Sequence, residues 1–287
     1  MRKQNWNWDF YKQDKVEKKV YFLSDVHLGS AFHKKNVNKH QQMTLPSVKV
    51  DDHYFPQHEV ERKLCRWLDR VKEDAQTIYL LGDIFDYWFE YRNVVPRGFV
   101  RFLGKIAELT DKGIEVHFFI GNHDIWVTDY LQKECGMIVH TQPLVRDIHG
   151  KKFFLAHGDG LGDDSTSFKL LRGLFHNKFC RKLYAAIHPR WTVGFAQWWS
   201  NHNRENDEMP DYFGEDKEHL VLFAKSHLKH APGINYFIFG HRHIMLDLML
   251  SMQSRIVILG DWIKYFSYGV FDGENFSLEI FEEPEES

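Results

Sequence analysis

The stretch IEVHFFIGNHD, residues 114–124, joins an apolar run typical of a buried strand to an abrupt polar ending. A tight turn needs the glycine and accommodates the asparagine, but it requires neither the histidine nor the aspartate that follow. We therefore interpret Gly121-Asn122-His123-Asp124 as part of a functional site placed directly after a strand.

Four further segments have the same design, in which an apolar strand runs into polar residues that can bind a metal. Their endings are Asp25-x-His27, Gly82-Asp83-x-x-Asp86, His157-Gly-Asp159 and Gly240-His241-x-His243. Helical apolar spacing separates the first three strands, in EVERKLCRWLDRVKE (59–73) and GFVRFLGKIAELTDKG (98–113). This alternation predicts an α/β fold with a largely parallel sheet, whose ligands bind beyond the carboxyl ends of the strands.

The remaining segments suggest how the chain is divided. Strand alternation returns in residues 246–262 and 268–281, the latter with a turn at Asp272-Gly273, whereas residues 161–231 carry helical patterns only. We therefore expect an α/β core formed by residues 1–160 and 232–287, and a helical cap, residues 161–231, inserted between the fourth and fifth polar endings.

The five endings offer carboxylate and amide oxygens and imidazole nitrogens, and no thiolate. Such donors suit Mn²⁺, Fe²⁺ or Zn²⁺. A single D-x-H or G-N-H-D is commonly an ordinary turn or a capped helix. Five in series, each after an apolar strand, favour a metal site, since so many buried polar groups would otherwise lack partners. Asp83 is the natural carboxylate to bridge two cations about 3.5–4 Å apart.

The order D-x-H, G-D-x-x-D, G-N-H-D, H, G-H-x-H resembles the calcineurin-like metallophosphoesterase family along residues 25–243. The resemblance implies a four-layer α/β sandwich with a dinuclear metal site that hydrolyses phosphoesters. It implies one metal bound by Asp25, His27 and His243, a second bound by Asn122, His157 and His241, and Asp83 as the bridge.

The resemblance also implies roles for three neighbouring residues. His123 would face the phosphate and protonate or stabilise the leaving oxygen, a contribution of about 10²–10⁴-fold in rate. Asp86 and Asp124 would orient the imidazoles from behind.

The cap has an unusual composition. Between Leu161 and Arg204 there are seven Lys and Arg residues against two Asp, a balance of +5 in a chain of net charge −3. Its helical patterns are rich in aromatic residues, which is typical of membrane-surface or lipid-handling elements. The alternative is a small cap whose apolar faces pack on one another.

The basic cap and the aromatic continuation GDIFDYW (82–88) are similar to a subgroup of the family, the bacterial UDP-2,3-diacylglucosamine diphosphatases of lipid A synthesis. This resemblance implies hydrolysis of UDP-2,3-diacylglucosamine to UMP and 2,3-diacylglucosamine 1-phosphate (lipid X), with the cap holding the acyl chains at the inner membrane. Trp88, Ser200 and Arg204 are the candidate substrate contacts. The sequence departs from many of these enzymes in carrying His123 where they carry Arg.

Two alternatives stay open. The same metal chemistry could act on a soluble nucleotide or another phosphoester, or the chain could be a non-catalytic metal-binding scaffold, which we would expect to lack some ligands. With 37 basic against 40 acidic residues, we do not expect a nucleic-acid binder. Three scattered cysteines and the lack of a leader-like or membrane-spanning apolar run predict a cytoplasmic protein, peripheral on the inner membrane.

Overall fold

The computed structural model describes residues 18–30, 58–162, 177–188, 191–192 and 212–282. Eleven strands and five helices are assigned within these ranges. In chain order they are β1 (Lys19–Leu23), α1 (Glu59–Val71), β2 (Ala75–Leu80), α2 (Val100–Asp111), β3 (Glu115–Phe119), α3 (Tyr130–Cys135), β4 (Ile138–His140), β5 (Leu144–Ile148), β6 (Lys151–Leu155), α4 (Lys178–Ala185), α5 (His219–His230), β7 (Tyr236–Phe239), β8 (Met245–Ser251), β9 (Ser254–Leu259), β10 (Ser267–Phe271) and β11 (Phe276–Ile280).

The strands form two mixed sheets. The first has the order β11-β10-β1-β2-β3-β4, and its four strands from β1 to β4 are parallel. The second has the order β5-β6-β7-β9-β8, with β6, β7 and β9 parallel. Antiparallel strands β10, β11, β5 and β8 extend the edges. The parallel strands at the centre of the two sheets include all five strands that were predicted from the sequence to end in polar residues.

Alternation along the strands arranges the core in four layers. In β1, Val20 and Phe22 lie between the two sheets, whereas Tyr21 and Leu23 face the helices on the outer side. Helices α1 and α2 cover that outer face, with Leu64, Trp67, Phe102 and Ile106 buried against it. The layers are therefore helices, sheet, sheet and helix, and the predicted four-layer α/β sandwich is confirmed.

Helix α5 forms the fourth layer, and this corrects the expected cap boundary. We assigned residues 161–231 to the cap, but Leu220, Val221 and Ala224 of α5 are buried against the outer face of the second sheet. A helix that buries this apolar stripe on the sheet belongs to the core. Of the predicted insertion, residues 163–176, 189–190 and 193–211 lie outside the described residues.

The short strands β4 and β5 were not expected from the sequence. Strand β4 has three residues, too few to display alternation, and it adds to the first sheet by pairing with β3. Strand β5 alternates exposed and half-buried positions as the outer edge of the second sheet. Edge strands are often short and carry charged residues that discourage further strand pairing, which weakens their apolar signal.

Candidate metal centre

The polar endings converge because the parallel strands of both sheets end at the same side of the sandwich. The turns after β1 and β2 are joined by hydrogen bonds from the N–H of Asp25 to the Gly82 carbonyl (3.1 Å) and from the N–H of His27 to the Asp83 carbonyl (2.9 Å). In the second sheet, the N–H of Gly240 donates to the His157 carbonyl (2.9 Å). This network of turns fixes where the side chains point.

Within the part of the chain that the structure describes, three groups of side chains have ligand atoms close enough to share a metal ion, and the third, formed by His27, Asp83 and His123, overlaps the two described next. Asp25, His27 and His243 form one group, and Asp83, His157 and His241 form the other, with ligand atoms within 4.8 Å of one another in each. The structure thus brings together the residues predicted for each metal.

Asn122 and Asp83 occupy connecting positions. The Oδ1 of Asn122 lies 3.0 Å from Nδ1 of His241 and 3.3 Å from Nε2 of His157, so it joins the second group. The Oδ2 of Asp83 lies 3.3 Å from Nε2 of His157 and 3.9 Å from Nε2 of His27. Asp83 therefore lies between the two groups, as a bridging carboxylate must.

The backbone is strained at most of these positions. Asp25, His27, Asp83, His241 and His243 all have φ between 50° and 68°, in the left-handed region that non-glycine residues rarely adopt. Each such residue costs on the order of 1–3 kcal/mol and persists only where its surroundings enforce it. Strain concentrated on five candidate ligands indicates that the placement of their side chains has a functional role.

Two glycines permit the close approach of neighbouring turns. A Cβ on Gly121 would lie 2.2 Å from Oδ1 of Asp83, and a Cβ on Gly240 would lie 2.4 Å from Oδ2 of Asp25. Since neither distance is compatible with a side chain, glycine is required where the turns touch the two carboxylates.

The electrostatics of the site are those of ionised carboxylates beside imidazoles. Burial opposes ionisation of Asp83, but His157 and His123 hold the pKa of its carboxyl well below its usual range. Burial lowers the pKa of His157, but its contact with the Asp83 carboxylate and the nearby charges of Asp25 and Asp159 together raise it more, so the net pKa is well above the ordinary value. Burial and the neighbouring His157 lower the pKa of His241 to about 3. The site therefore combines negative oxygens with a neutral imidazole, both of which metals require.

The donor atoms fit a divalent cation. The Oδ1 atom of Asp25 is buried and accepts no hydrogen bond within the described residues, although it lies 3.5 Å from Nε2 of His243. A buried carboxylate oxygen without a donor costs free energy unless a cation compensates it. The Nδ1 of His157 lies 2.8 Å from the Leu81 carbonyl, which accepts a hydrogen bond from it, so Nε2 is the nitrogen that faces Asp83 and is available to a metal.

His123 and Asp86 lie beside the candidate ligands. The backbone N–H of His123 donates to Oδ1 of Asp83 (2.8 Å), and its Nδ1 lies 3.0 Å from the Asp86 carbonyl oxygen, which accepts a hydrogen bond from it. The ring packs edge-on against His27 with centroids 4.8 Å apart. The Oδ1 of Asp86 lies 3.4 Å from Nδ1 of His27, the position from which a carboxylate orients an imidazole.

The role expected for Asp124 is not the one the structure gives it. Its Oδ1 accepts a hydrogen bond from the N–H of Gly121 (2.7 Å), and its Oδ2 accepts from the N–H groups of Ile84 (2.9 Å) and Phe85. Burial and the nearby Asp83 charge raise its pKa to about 7. Asp124 thus ties the turn after β3 to the turn after β2 rather than orienting an imidazole.

Trp88, expected to contact substrate, is a core residue. Its side chain is fully buried against Phe85, Phe99 and Tyr130, and its indole N–H donates to Oε1 of Glu90 (3.0 Å). Aromatic residues after a strand are as readily explained by packing as by ligand contact. The other two candidate contacts, Ser200 and Arg204, lie outside the described residues.

Sequence reasoning missed a carboxylate at the end of β9. The Oδ2 of Asp261 lies 3.3 Å from Nδ1 of His243, and the side chain is fully buried. The signal was present, since RIVILGDW (255–262) is a further apolar strand ending in Gly-Asp. That strand lies beside β7 in the second sheet, which brings its ending to the same site.

Among the described residues, no helix is long and apolar enough to cross a membrane. Part of the predicted cap is nevertheless strongly apolar at its surface. On and after α4, the exposed large apolar side chains are Phe179 (67% exposed), Leu183 (55%), Ile187 (48%) and Trp191 (71%).

The chain is similar in sequence to known phosphoesterases. Residues 18–245 match the family model described as calcineurin-like phosphoesterase. A UDP-2,3-diacylglucosamine hydrolase of Porphyromonas gingivalis is 46% identical over 94% of this chain and 100% of its own length. Proteins with the same description from Neisseria meningitidis and Shewanella baltica are 28% and 24% identical, over 85% and 77% of this chain and 90% of each relative.

Proposed function

Because this chain belongs to the calcineurin-like phosphoesterase family, we propose that it hydrolyses the pyrophosphate bond of UDP-2,3-diacylglucosamine, yielding UMP and 2,3-diacylglucosamine 1-phosphate. The observation that carries this proposal is the similarity to the Porphyromonas gingivalis hydrolase along its entire length. A match over 94% of the chain extends well beyond the five polar endings, which supports a shared substrate as well as a shared fold.

The metal centre of the proposal uses the two groups described above. Asp25, His27 and His243 would bind one divalent cation, Asn122, His157 and His241 the other, and Asp83 would bind both. The buried Oδ1 of Asp25 and the mixed oxygen and nitrogen donors support this. Mn²⁺ is our first choice, with Fe²⁺ or Zn²⁺ as alternatives. When bound, such a pair of cations polarises phosphoryl oxygens and lowers the pKa of water from 15.7 towards about 7.

His123 supplies the proton for the leaving phosphate in this proposal. Donation from Nδ1 to the Asp86 carbonyl leaves Nε2 as the nitrogen that exchanges a proton with substrate. The side chain is 24% exposed, so a substrate can reach it, and its backbone N–H keeps it beside Asp83. The Oδ1 of Asp86 lies 3.4 Å from Nδ1 of His27 and 3.7 Å from Nδ1 of His123, where its carboxylate helps to orient both rings.

The apolar surface of the cap would receive the lipid. Exposed Phe179, Leu183 and Trp191, with Arg181 and Lys182 on the same segment, match the chemistry of acyl chains and anionic headgroups. We therefore propose that the protein works as a peripheral protein on the cytoplasmic face of the inner membrane. Ser200 and Arg204 remain candidates for contacts with the nucleotide or phosphates.

The test is hydrolysis of UDP-2,3-diacylglucosamine in detergent micelles with Mn²⁺, followed by mass spectrometry of the products. Asp83→Ala is the blank, and Asp272→Ala, in a surface turn, is the control for a lost carboxylate. We expect UMP and 2,3-diacylglucosamine 1-phosphate from the unmodified protein and from Asp272→Ala only, at a rate far above that for bis(p-nitrophenyl) phosphate.

Other outcomes would point elsewhere. Turnover of the generic diester without release of UMP would keep the metal chemistry and transfer the proposal to a soluble nucleotide or phosphoester. Metal binding without turnover of either compound would favour the non-catalytic scaffold.

A further inference from the structure

A buried ion pair joins the loop of His241 and His243 to the start of helix α5. Arg242, between these two histidines, donates from Nε to Oε1 of Glu218 (2.8 Å) and from Nη2 to Oε2 (3.2 Å). Glu218 is fully buried and occupies the position immediately before α5. This two-pronged geometry fixes both the distance and the orientation of the guanidinium.

The loop that Arg242 belongs to is otherwise strained. His241 and His243 both have positive φ, 68° and 51°, and the N–H of Arg242 closes a tight turn onto the Gly240 carbonyl (2.8 Å). A loop in this conformation relaxes unless surrounding contacts hold it. The N–H of His241 donates to Oδ2 of Asp25 (2.8 Å) at one end of the loop. The next residue, Arg242, is held through its side chain by Glu218.

The side chain of Arg242 also packs against an aromatic ring, that of Phe213. Its guanidinium carbon lies 5.2 Å from the centre of the Phe213 ring, within the range of a cation–π contact. Phe213 and Glu218 both belong to residues 212–218, the described segment that precedes α5. Contacts from this one segment therefore enclose the side chain that lies between the two histidines.

We propose that the Glu218–Arg242 ion pair is a positioning device that holds His241 and His243 in the conformation in which they bind one metal each. This rests on the metal centre of the proposed function. In the proposed centre, His241 and His243 bind different metals, so one ion pair at Arg242 positions a ligand of each metal. The role concerns the placement of ligands, and neither Glu218 nor Arg242 is assigned a contact with substrate.

The energetics favour a role in positioning the loop over a role in stabilising the fold alone. Replacing Glu218 leaves the largely buried Arg242 charge without its carboxylate. Replacing Arg242 leaves Glu218 beside the His219 ring, whose Nδ1 lies 3.4 Å from Oε1. The structure then relieves the Arg242 charge by moving the loop, because Leu220 and Val221 bury α5 in the apolar core, whereas loop residues 240–243 contribute no side chain to that core. Loss of the pair is therefore expected to disturb the histidines before it disturbs the fold.

The experiment measures Mn²⁺ affinity directly, from the EPR signal of unbound Mn²⁺ during titration of the purified full chain. We expect Glu218→Gln to weaken Mn²⁺ binding about 10–100-fold, the usual cost of removing a group that orients metal ligands. Asp247→Asn is the matched control, because it breaks another two-pronged arginine–carboxylate pair, with Arg255, on the same sheet but away from the site. This control should bind Mn²⁺ as the unmodified protein does.

Two further variants keep the outcome clear. Arg242→Lys keeps the charge but loses the two-pronged geometry, so it should also weaken Mn²⁺ binding while circular dichroism shows an intact fold. If the pair acts as a unit, the double variant Glu218→Gln/Arg242→Gln should lose no more affinity than the weaker-binding single variant.

Unchanged Mn²⁺ affinity in folded Arg242→Lys and Glu218→Gln would overturn the proposal. A higher KM in Arg242→Lys with unchanged Mn²⁺ affinity would overturn it in favour of a substrate contact. Failure of the unmodified protein to bind Mn²⁺, Fe²⁺ or Zn²⁺ would instead overturn the metal centre itself, so the two failures are distinguishable.

Discussion

The Oδ2 of Asp261 lies 3.3 Å from Nδ1 of His243, while its Oδ1 accepts hydrogen bonds from three successive backbone N–H groups, at residues 263–265. One carboxylate thus fixes its own turn and orients a candidate metal ligand. In Asp261→Asn, the amide places either an NH2 donor or an uncharged oxygen beside Nδ1 of His243, so the ring of His243 is oriented less firmly. We expect about 10–100-fold weaker Mn²⁺ binding, measured by EPR titration.

The control for this substitution is Asp272→Asn. Asp272 also accepts backbone hydrogen bonds within its turn, from Glu274 and Asn275, but contacts none of the candidate ligands. Equal loss of Mn²⁺ affinity in both variants would show that the effect comes from turn stability and not from His243.

Removal of the His123 imidazole tests its proposed role as proton donor. For His123→Ala we expect kcat on UDP-2,3-diacylglucosamine to fall about 10²–10⁴-fold, the typical contribution of general acid catalysis. A p-nitrophenyl diester, whose leaving group needs no proton, should lose much less. Equal losses on both substrates, with Mn²⁺ content unchanged, would exclude proton donation as the role of His123.

Two glycine substitutions should act in opposite directions. In Gly121→Ala the new Cβ would meet Asp83 at 2.2 Å, so we expect a loss of about 1–3 kcal/mol in the free energy of unfolding and weaker Mn²⁺ binding. In Gly104→Ala, within α2, nothing lies within 4 Å of the new Cβ, and helix propensity should add about 0.5–1 kcal/mol. Urea unfolding measures both. A neutral Gly121→Ala would mean that the two turns separate easily.

The His117–His140 pair predicts a specific dependence of stability on pH. Their Nδ1 and Nε2 atoms lie 2.8 Å apart, and burial, helped by His117, lowers the pKa of His140 to about 4. The unfolded chain has the ordinary value near 6.5. Between these values the unfolded chain takes up a proton that the folded chain does not, so the folded state loses stability as pH falls from about 6.5 to 4.

His140→Gln should therefore lose less stability than the unmodified protein between pH 7 and pH 4.5, as measured by urea unfolding at each pH. Between pH 7 and pH 8 the imidazole is mostly deprotonated in both states, so the stabilities of the two proteins should respond almost alike. Parallel curves across the acid range would remove His140 as the source of the effect.

The apolar surface of α4 should determine membrane attachment. Burying one large apolar side chain contributes roughly 1.5–3 kcal/mol, so Phe179→Ser or Leu183→Ser should lower binding to anionic phosphatidylglycerol vesicles at least about tenfold each. Val100→Ser, which removes a 75% exposed apolar side chain on α2, should leave binding unchanged. Vesicle sedimentation distinguishes these results. Equal effects of all three would indicate non-specific association.

The chain pattern predicts the strands that lead to the site, because an apolar run ending in Asp, Asn or His is a local property. The buried face of α1 follows the same logic, since Val60, Leu64 and Trp67 recur at helical spacing and are all buried. The role of Trp88 could not be predicted in this way. An aromatic residue after a strand serves either packing or ligand contact, and only its neighbours decide.

Residue types and their order along the chain by themselves determined the α/β class, the five polar endings and the donor chemistry of the site, because each depends on a few consecutive residues. Only the tertiary structure decided that Asp124 binds backbone N–H groups, that Asp261 reaches His243, and that Glu218 holds Arg242. These contacts join residues through the adjacency of strands and helices. Local sequence does not encode that adjacency, which is set by how the two sheets pack and which strand ends meet.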